Sequence, residues 1–192
     1  MKSQDIVILL KLVSLQKQDY AHGGSHVGGD LSLNQPDDCY SARGLEAALG
    51  ISKSEVNASI NRSIAIGMAI HDRSSGHPKA NKKALLEFIS HGLKYVFPAK
   101  PAEIARGIPT TFAAPVLKNE LMSAGEYIYV WPDAKGREKG QSIKPLFKSV
   151  PMAVQKDPIL YEYLALVDAI RLGNPRESKI AVRILEEKLV AP

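Results

Sequence analysis

The chain has a single cysteine, Cys39, among its 192 residues. One thiol leaves no partner for an intrachain disulfide, and without a convincing histidine beside it the residue reads as inert rather than nucleophilic. Long apolar runs are missing too. The N-terminal stretch Ile6–Val13 is apolar apart from Lys11, but it is far shorter than the roughly 20 residues a membrane span needs, so it reads as a core helix. Signatures of catalysis are also lacking. There is no G-x-S-x-G elbow, no H-E-x-x-H and no paired cysteine ligands, and Glu103, Asp133 and Asp168 are too isolated to form a carboxylate dyad. His71 and His77 have no cysteine or carboxylate at metal-ligand spacing and read as polar loop residues. These absences predict a non-enzymatic protein without metal or cofactor, with no membrane contact and, lacking a cleavable signal, a cytoplasmic location.

The segment Tyr40–Gly67 is where the chain is most informative. Ser41 is a suitable N-cap for a short helix burying Leu45, Ala48 and Leu49, and Gly50 stands where such a helix ends in the left-handed conformation. Ser52 and Glu55 have the spacing of a capping box at the start of a second helix. On that helix Val56, Ile60 and Ile64, with Ser59 and Ser63 beside them, define a buried stripe. The other face is polar: Lys53, Ser54, Asn57, Asn61 and Arg62, with the small Ala58 between them. Two helices joined by a tight glycine turn, the second with a polar outer face, are the layout of a helix-turn-helix, and double-stranded DNA becomes the expected partner. Asparagine pairs bidentately with adenine and arginine with guanine, so Asn57, Asn61 and Arg62 are the base-reading candidates; Lys53 and Ser54 near the helix start suit phosphate.

The following residues alternate like a short strand, Met68–His71, and run into the basic turn Asp72–Lys79. A basic hairpin in this position is a wing, with Arg73, His77 and Lys79 placed to reach the backbone or minor groove. Charge supports the reading. Residues 1–39 carry three Lys and five Asp, a net of −2, whereas residues 40–83 carry seven bases against three acids, a net of +4. A second basic cluster, Lys135, Arg137, Lys139, Lys144 and Lys148, is open to three readings: a second nucleic-acid surface, a patch for an acidic protein, or a solvated hairpin.

Around these elements the organisation is simpler. His22–Asp30 contains four glycines but no phosphate-binding lysine, so it is expected to be a flexible loop, followed by Leu31 and Leu33 in a small strand or against the core and by a turn at Pro36–Asp38. Asn81 caps a helix running to about His91 and ended by Gly92, and Leu93–Pro101 then becomes extended. Prolines at 98, 101, 109, 115 and 132 argue against long helices before residue 150. Tyr127–Trp131 reads as a strand with Arg137–Ile143 returning as its antiparallel partner. Two helices close the chain: Pro158–Leu172, and one beginning at Asn174-Pro175 that buries Ile180, Ile184, Leu185 and Leu189.

The fold class expected is mainly α with small β: a winged helix-turn-helix domain over residues 1–92, followed by a smaller α+β region over 93–192. The order helix, helix-turn-helix, small strand pair, helix resembles winged helix-turn-helix regulators, including the MarR-like group. Farther on, His91–Pro98, Arg106–Thr110 and Tyr129–Pro132 are similar to a bacterial family of small winged-helix proteins of the AbiEi antitoxin type. That resemblance implies a transcriptional repressor of its own operon, genetically associated with a nucleotidyltransferase-like toxin and itself without catalytic residues. A homodimer on a palindromic site is the default expectation for such regulators. Two alternatives remain: a winged-helix protein-interaction module, and an effector-binding regulator, which an apolar pocket fenced by Phe97, Tyr127 and Trp131 would favour.

Overall fold

The computed structural model describes residues 1–21, 38–118, 120 and 127–190. The loop over 22–30 and the residues 31–37 lie outside them, so the expectations for those segments do too.

The first helix, α1 (Ser3–Ala21), forms the centre of the molecule rather than one of its faces. Its residues from Gln4 to Leu15 are all buried, with Ile6, Val7, Leu10 and Leu12 fully so. A helix apolar on every side must be enclosed on every side, and α1 is packed by α3 (Lys53–Ala65), β2 (Pro78–Ala80), α4 (Lys82–His91) and α7 (Pro158–Leu172). The last of these is its counterpart, buried continuously from Tyr163 to Ile170. One hydrophobic core therefore contains α1 and α7 together with Leu45, Leu85, Trp131 and Leu185, from both sides of residue 92.

The buried charges Asp5, Lys11, Asp157 and Asp168 are each paired, as burial of charge requires. Lys11 Nζ lies 2.8 Å from Asp157 Oδ2, the Ser14 hydroxyl donates to the same carboxylate, and Asp157 also caps α7 by accepting from the Leu160 amide at 2.9 Å. Desolvation pushes the Asp157 carboxyl up, but its bonds to Lys11, Leu160 and Ser14 outweigh that and hold it below the usual range.

The second half forms a small closed barrel of β3 (Pro101–Thr110), β4 (Tyr129–Pro132) and β5 (Glu138–Ile143). Here the structure corrects the expected hairpin. β4 and β5 are parallel neighbours, Tyr129 opposite Gln141, and each is antiparallel to β3, which pairs its first half with β5 and its second with β4. The barrel closes tightly because glycines stand at its contacts: a Cβ on Gly136 would meet the backbone of Gly107. Trp131 is buried, its Nε1 donating to Asp168 on α7, while Arg171 binds that carboxylate at 2.6 Å and the Phe97 carbonyl at 2.9 Å. Trp131 is thus a core residue that fastens barrel to helix, whereas Tyr127 is exposed.

Two further corrections concern helix boundaries. Leu93–Val96 is not extended but a short helix, α5, because Gly92 keeps right-handed helical angles instead of reversing the chain. Val150–Lys156 forms α6 ahead of α7, and α8 (Pro175–Val190) ends the fold, capped by Asn174, which accepts from the amides of Arg176 and Glu177. Among the described residues no helix is long and apolar enough to cross a membrane.

Candidate nucleic-acid interface

Helix α2 (Ala42–Leu49) begins as its sequence dictates, the Ser41 hydroxyl accepting from the Gly44 amide at 3.0 Å. It ends at Gly50, left-handed at φ 63°, whose amide bonds the Glu46 carbonyl. Ile51 then plugs the angle between the helices, and Leu45, Leu49, Ile51 and Val56 are all buried. The start of α3 departs from expectation. Ser52 holds the N-cap position without a side-chain capping bond, its hydroxyl lying 3.3 Å from that of Ser54, and Glu55 turns to the start of the chain instead, where Lys2 Nζ lies 3.2 Å away and Gln4 of α1 donates to it. No capping box forms, because the Lys2 ammonium and the Gln4 amide together outcompete the single backbone N–H a box would offer.

Helix α3 buries Val56, Ser59 and Ser63, with Ile60 and Ile64 half-buried. The serines are small enough to let it lie close against α1. Its outward stripe consists of Lys53, Ser54, Asn57 and Asn61, all exposed, at the spacing of successive helical turns with Ala58 beside them. These four side chains are brought together as the sequence predicts. Arg62 is not one of them. Its guanidinium grips the buried Asp5 of α1 with two bonds, Nη2 to Oδ1 at 2.7 Å and Nε to Oδ2 at 3.2 Å, and has Glu55 at 3.9 Å. The helical phase that placed Arg62 beside Asn61 was sound, but a long side chain at the edge of the polar face swings toward a carboxylate that would otherwise be buried alone. The base-reading role expected of Arg62 is therefore replaced by a structural one.

Beyond α3 the chain turns at Gly67 into a two-stranded antiparallel hairpin, β1 (Ala69–His71) and β2, in which Ala69 faces Ala80 and Ile70 faces Lys79. The connecting turn is ordered by Asp72, which accepts from the hydroxyls of Ser74 and Ser75 and from the Ser75 amide. Those bonds hold its carboxyl down at about 2. Arg73 is exposed at the tip and Lys79 half-exposed on the strand, neither with an ion-pair partner among the described residues. His77 has a different task from the one expected. Its ring stacks on Tyr40 at 4.9 Å with Asp38 3.7 Å away, and the Tyr40 hydroxyl donates to Asp19 on α1. Burial, then that bond to Asp19, raises the Tyr40 phenol well above its ordinary value. His77 anchors the hairpin rather than leaving it free to move.

No local sequence motif singles out Lys82. At the first position of α4 it is part-buried, and its ammonium is held below its ordinary value first by that burial and then by Lys79 and Lys17. Like charges gathered in this way repel, and the fold carries that cost on the hairpin side of α3. The signal was present in the charge count but not in any local pattern, since Lys17 comes from another helix. Among the described residues no group of three His, Cys, Asp or Glu is placed to hold a metal ion.

Taken together, the geometry is an exposed polar helix face with an anchored basic hairpin at its far end. Comparison with protein-family models, with curated proteins and with solved structures gives no match to the chain.

Proposed function

We propose that the protein is a sequence-specific DNA-binding transcriptional regulator of the winged-helix kind, with α3 in the major groove and the β1–β2 hairpin as a wing against the adjacent backbone. The observation that carries this reading is the outward stripe of α3. Asn57 and Asn61 lie one turn apart with Lys53 and Ser54 at the helix start, exposed and without bulky neighbours. Asparagine amides offer the donor and acceptor that adenine presents in the major groove, and the helix N-terminus with Lys53 suits phosphate. Arg73 and Lys79 extend positive charge beyond the helix, and Lys82 and Lys17 raise it further.

In this reading the protein represses its own operon, and the likeness to AbiEi-type antitoxins makes it the DNA-binding member of a toxin–antitoxin pair. Two copies would bind half-sites about one helical turn apart. The test is a mobility shift on the DNA upstream of its own gene. Lys53→Ala should weaken binding to every duplex alike, whereas Asn57→Ala or Asn61→Ala should cost roughly 1–3 kcal/mol on the preferred site and much less on random DNA. Equal losses on both DNAs would remove the asparagines from base reading.

A further inference from the structure

Six basic side chains on or beside the barrel, Arg106, Lys135, Arg137, Lys139, Lys144 and Lys148, are exposed, and none has an ion-pair partner among the described residues. Lys11, Arg62, Arg171 and Lys188 each face a carboxylate. On the barrel Arg106 of β3 instead stands directly opposite Lys139 of β5. Like charges facing each other across a ladder destabilise a sheet. Among the described residues neither Glu103, Asp133 nor Glu138 forms an ion pair with them, and the Asp133 carboxylate accepts instead from Gln155 at 2.7 Å and from the Lys135 amide in its own turn.

The place of this face matters more than its charge. Ser149, next to Lys148, donates to the Leu49 carbonyl at the end of α2, the methyl of Met152 lies under Gly50, and Lys156 Nζ reaches the Ala47 carbonyl at 3.1 Å. Helix α6 is thereby seated on the α2–α3 turn, and the Asp133–Gln155 bond ties the β4–β5 turn to the same helix. The hairpin follows the C-terminal end of α3, and the basic barrel is tied through α6 to the turn that precedes its N-terminal end. Resting on the DNA reading above, we infer that this face is a second phosphate-binding surface, holding the duplex backbone outside the groove that α3 enters. An acidic protein would also suit the charge, but the tie through α6 to the α2–α3 turn favours the duplex that α3 is proposed to read.

The experiment is a salt titration of binding to a 30-base-pair random-sequence duplex, followed by fluorescence anisotropy. Lys144→Ala/Lys148→Ala and Arg137→Ala/Lys139→Ala should each flatten the slope of log affinity against log salt by up to about 1.8, so that their deficit against wild type shrinks about tenfold between 50 and 200 mM salt. Arg176→Ala/Lys179→Ala on α8 removes the same charge far from the barrel and should leave the slope as it is. Unaltered slopes in both barrel variants, with Lys53→Ala or Arg73→Ala/Lys79→Ala still flattening it, would overturn the second surface and leave the DNA reading standing. Wild-type protein that fails to bind the duplex at all would overturn both. Retention on a polyglutamate matrix that the barrel variants lose, with DNA slopes unchanged, would assign the face to an acidic protein instead.

Discussion

Replacing Arg62 with alanine separates a structural arginine from a base-reading one. In the folded protein the Asp5 side chain is 1% exposed and that of Arg62 31%. Removing one partner of a buried ion pair costs about 3–5 kcal/mol because the other charge stays behind without compensation. Arg62 is partly solvated, so screening trims the figure to roughly 2–3 kcal/mol. For a chain of this length that corresponds to a melting temperature lower by about 5–10 °C. The pH dependence gives a sharper sign. Burial pushes the Asp5 carboxyl up, but the Arg62 bond and the Lys2 amide pull it further down, and the net folded value is lowered. Its contribution is therefore present above the unfolded carboxylate value near ~3.9 and is lost as pH falls through the lowered folded value. In Arg62→Ala burial remains while the main opposing interaction is gone, so the Asp5 value rises and the cost of its stranded charge shrinks on acidification toward pH ~4. Urea unfolding at pH 7 and pH 4 should show the deficit against wild type narrowing at the lower pH, and Asp5→Asn should recover part of it at pH 7. A variant as stable as wild type that loses affinity only for its preferred DNA would refute the assignment and return Arg62 to the groove.

The other predictions are simpler. Arg73→Ala/Lys79→Ala should leave circular dichroism and melting within about 0.5 kcal/mol of wild type while flattening the salt slope of DNA binding by up to about two units; a slope left unchanged would take the hairpin off the binding surface. Lys11→Met strands the Asp157 carboxylate in the core and should cost about 3–5 kcal/mol in a denaturant melt. Adding Asp157→Asn, which keeps an acceptor for the Leu160 amide but removes the charge, should restore most of that loss, and a second variant no better than the first would show that the pair is not what holds α1 to α7.

What could be read in the sequence were the features decided within a few residues. Ser41, Gly50, Asn81 and Asn174-Pro175 mark helix ends because a cap needs only its own first turn, and all four sit where expected. The exposed stripe of α3 was legible for the same reason: helical phase is local. Contacts made across the chain were not. Glu55 and Arg62 follow their helix, but their partners Lys2, Gln4 and Asp5 come from the start of the chain, more than fifty residues earlier. The barrel escaped similarly, since its longest strand, β3, holds Pro101 and Pro109 and showed no strand alternation. Pro101 opens that strand and Pro109 lies opposite Val130 near its other end, so neither interrupts its middle. The run Ile6–Val13 reads as a core helix and is one, but which elements enclose it, α3, β2, α4 and α7, depends on contacts made across the chain.

The central claim is that α3 reads DNA sequence. Selection of binding sites by the full chain from a library of randomised duplexes tests it most directly. The account predicts enrichment of a short shared site in which adenine preferences disappear when Asn57 or Asn61 is replaced by alanine, while Lys53→Ala lowers recovery without changing the site. A library that emerges as random as it entered, or a site indifferent to both asparagines, would contradict it.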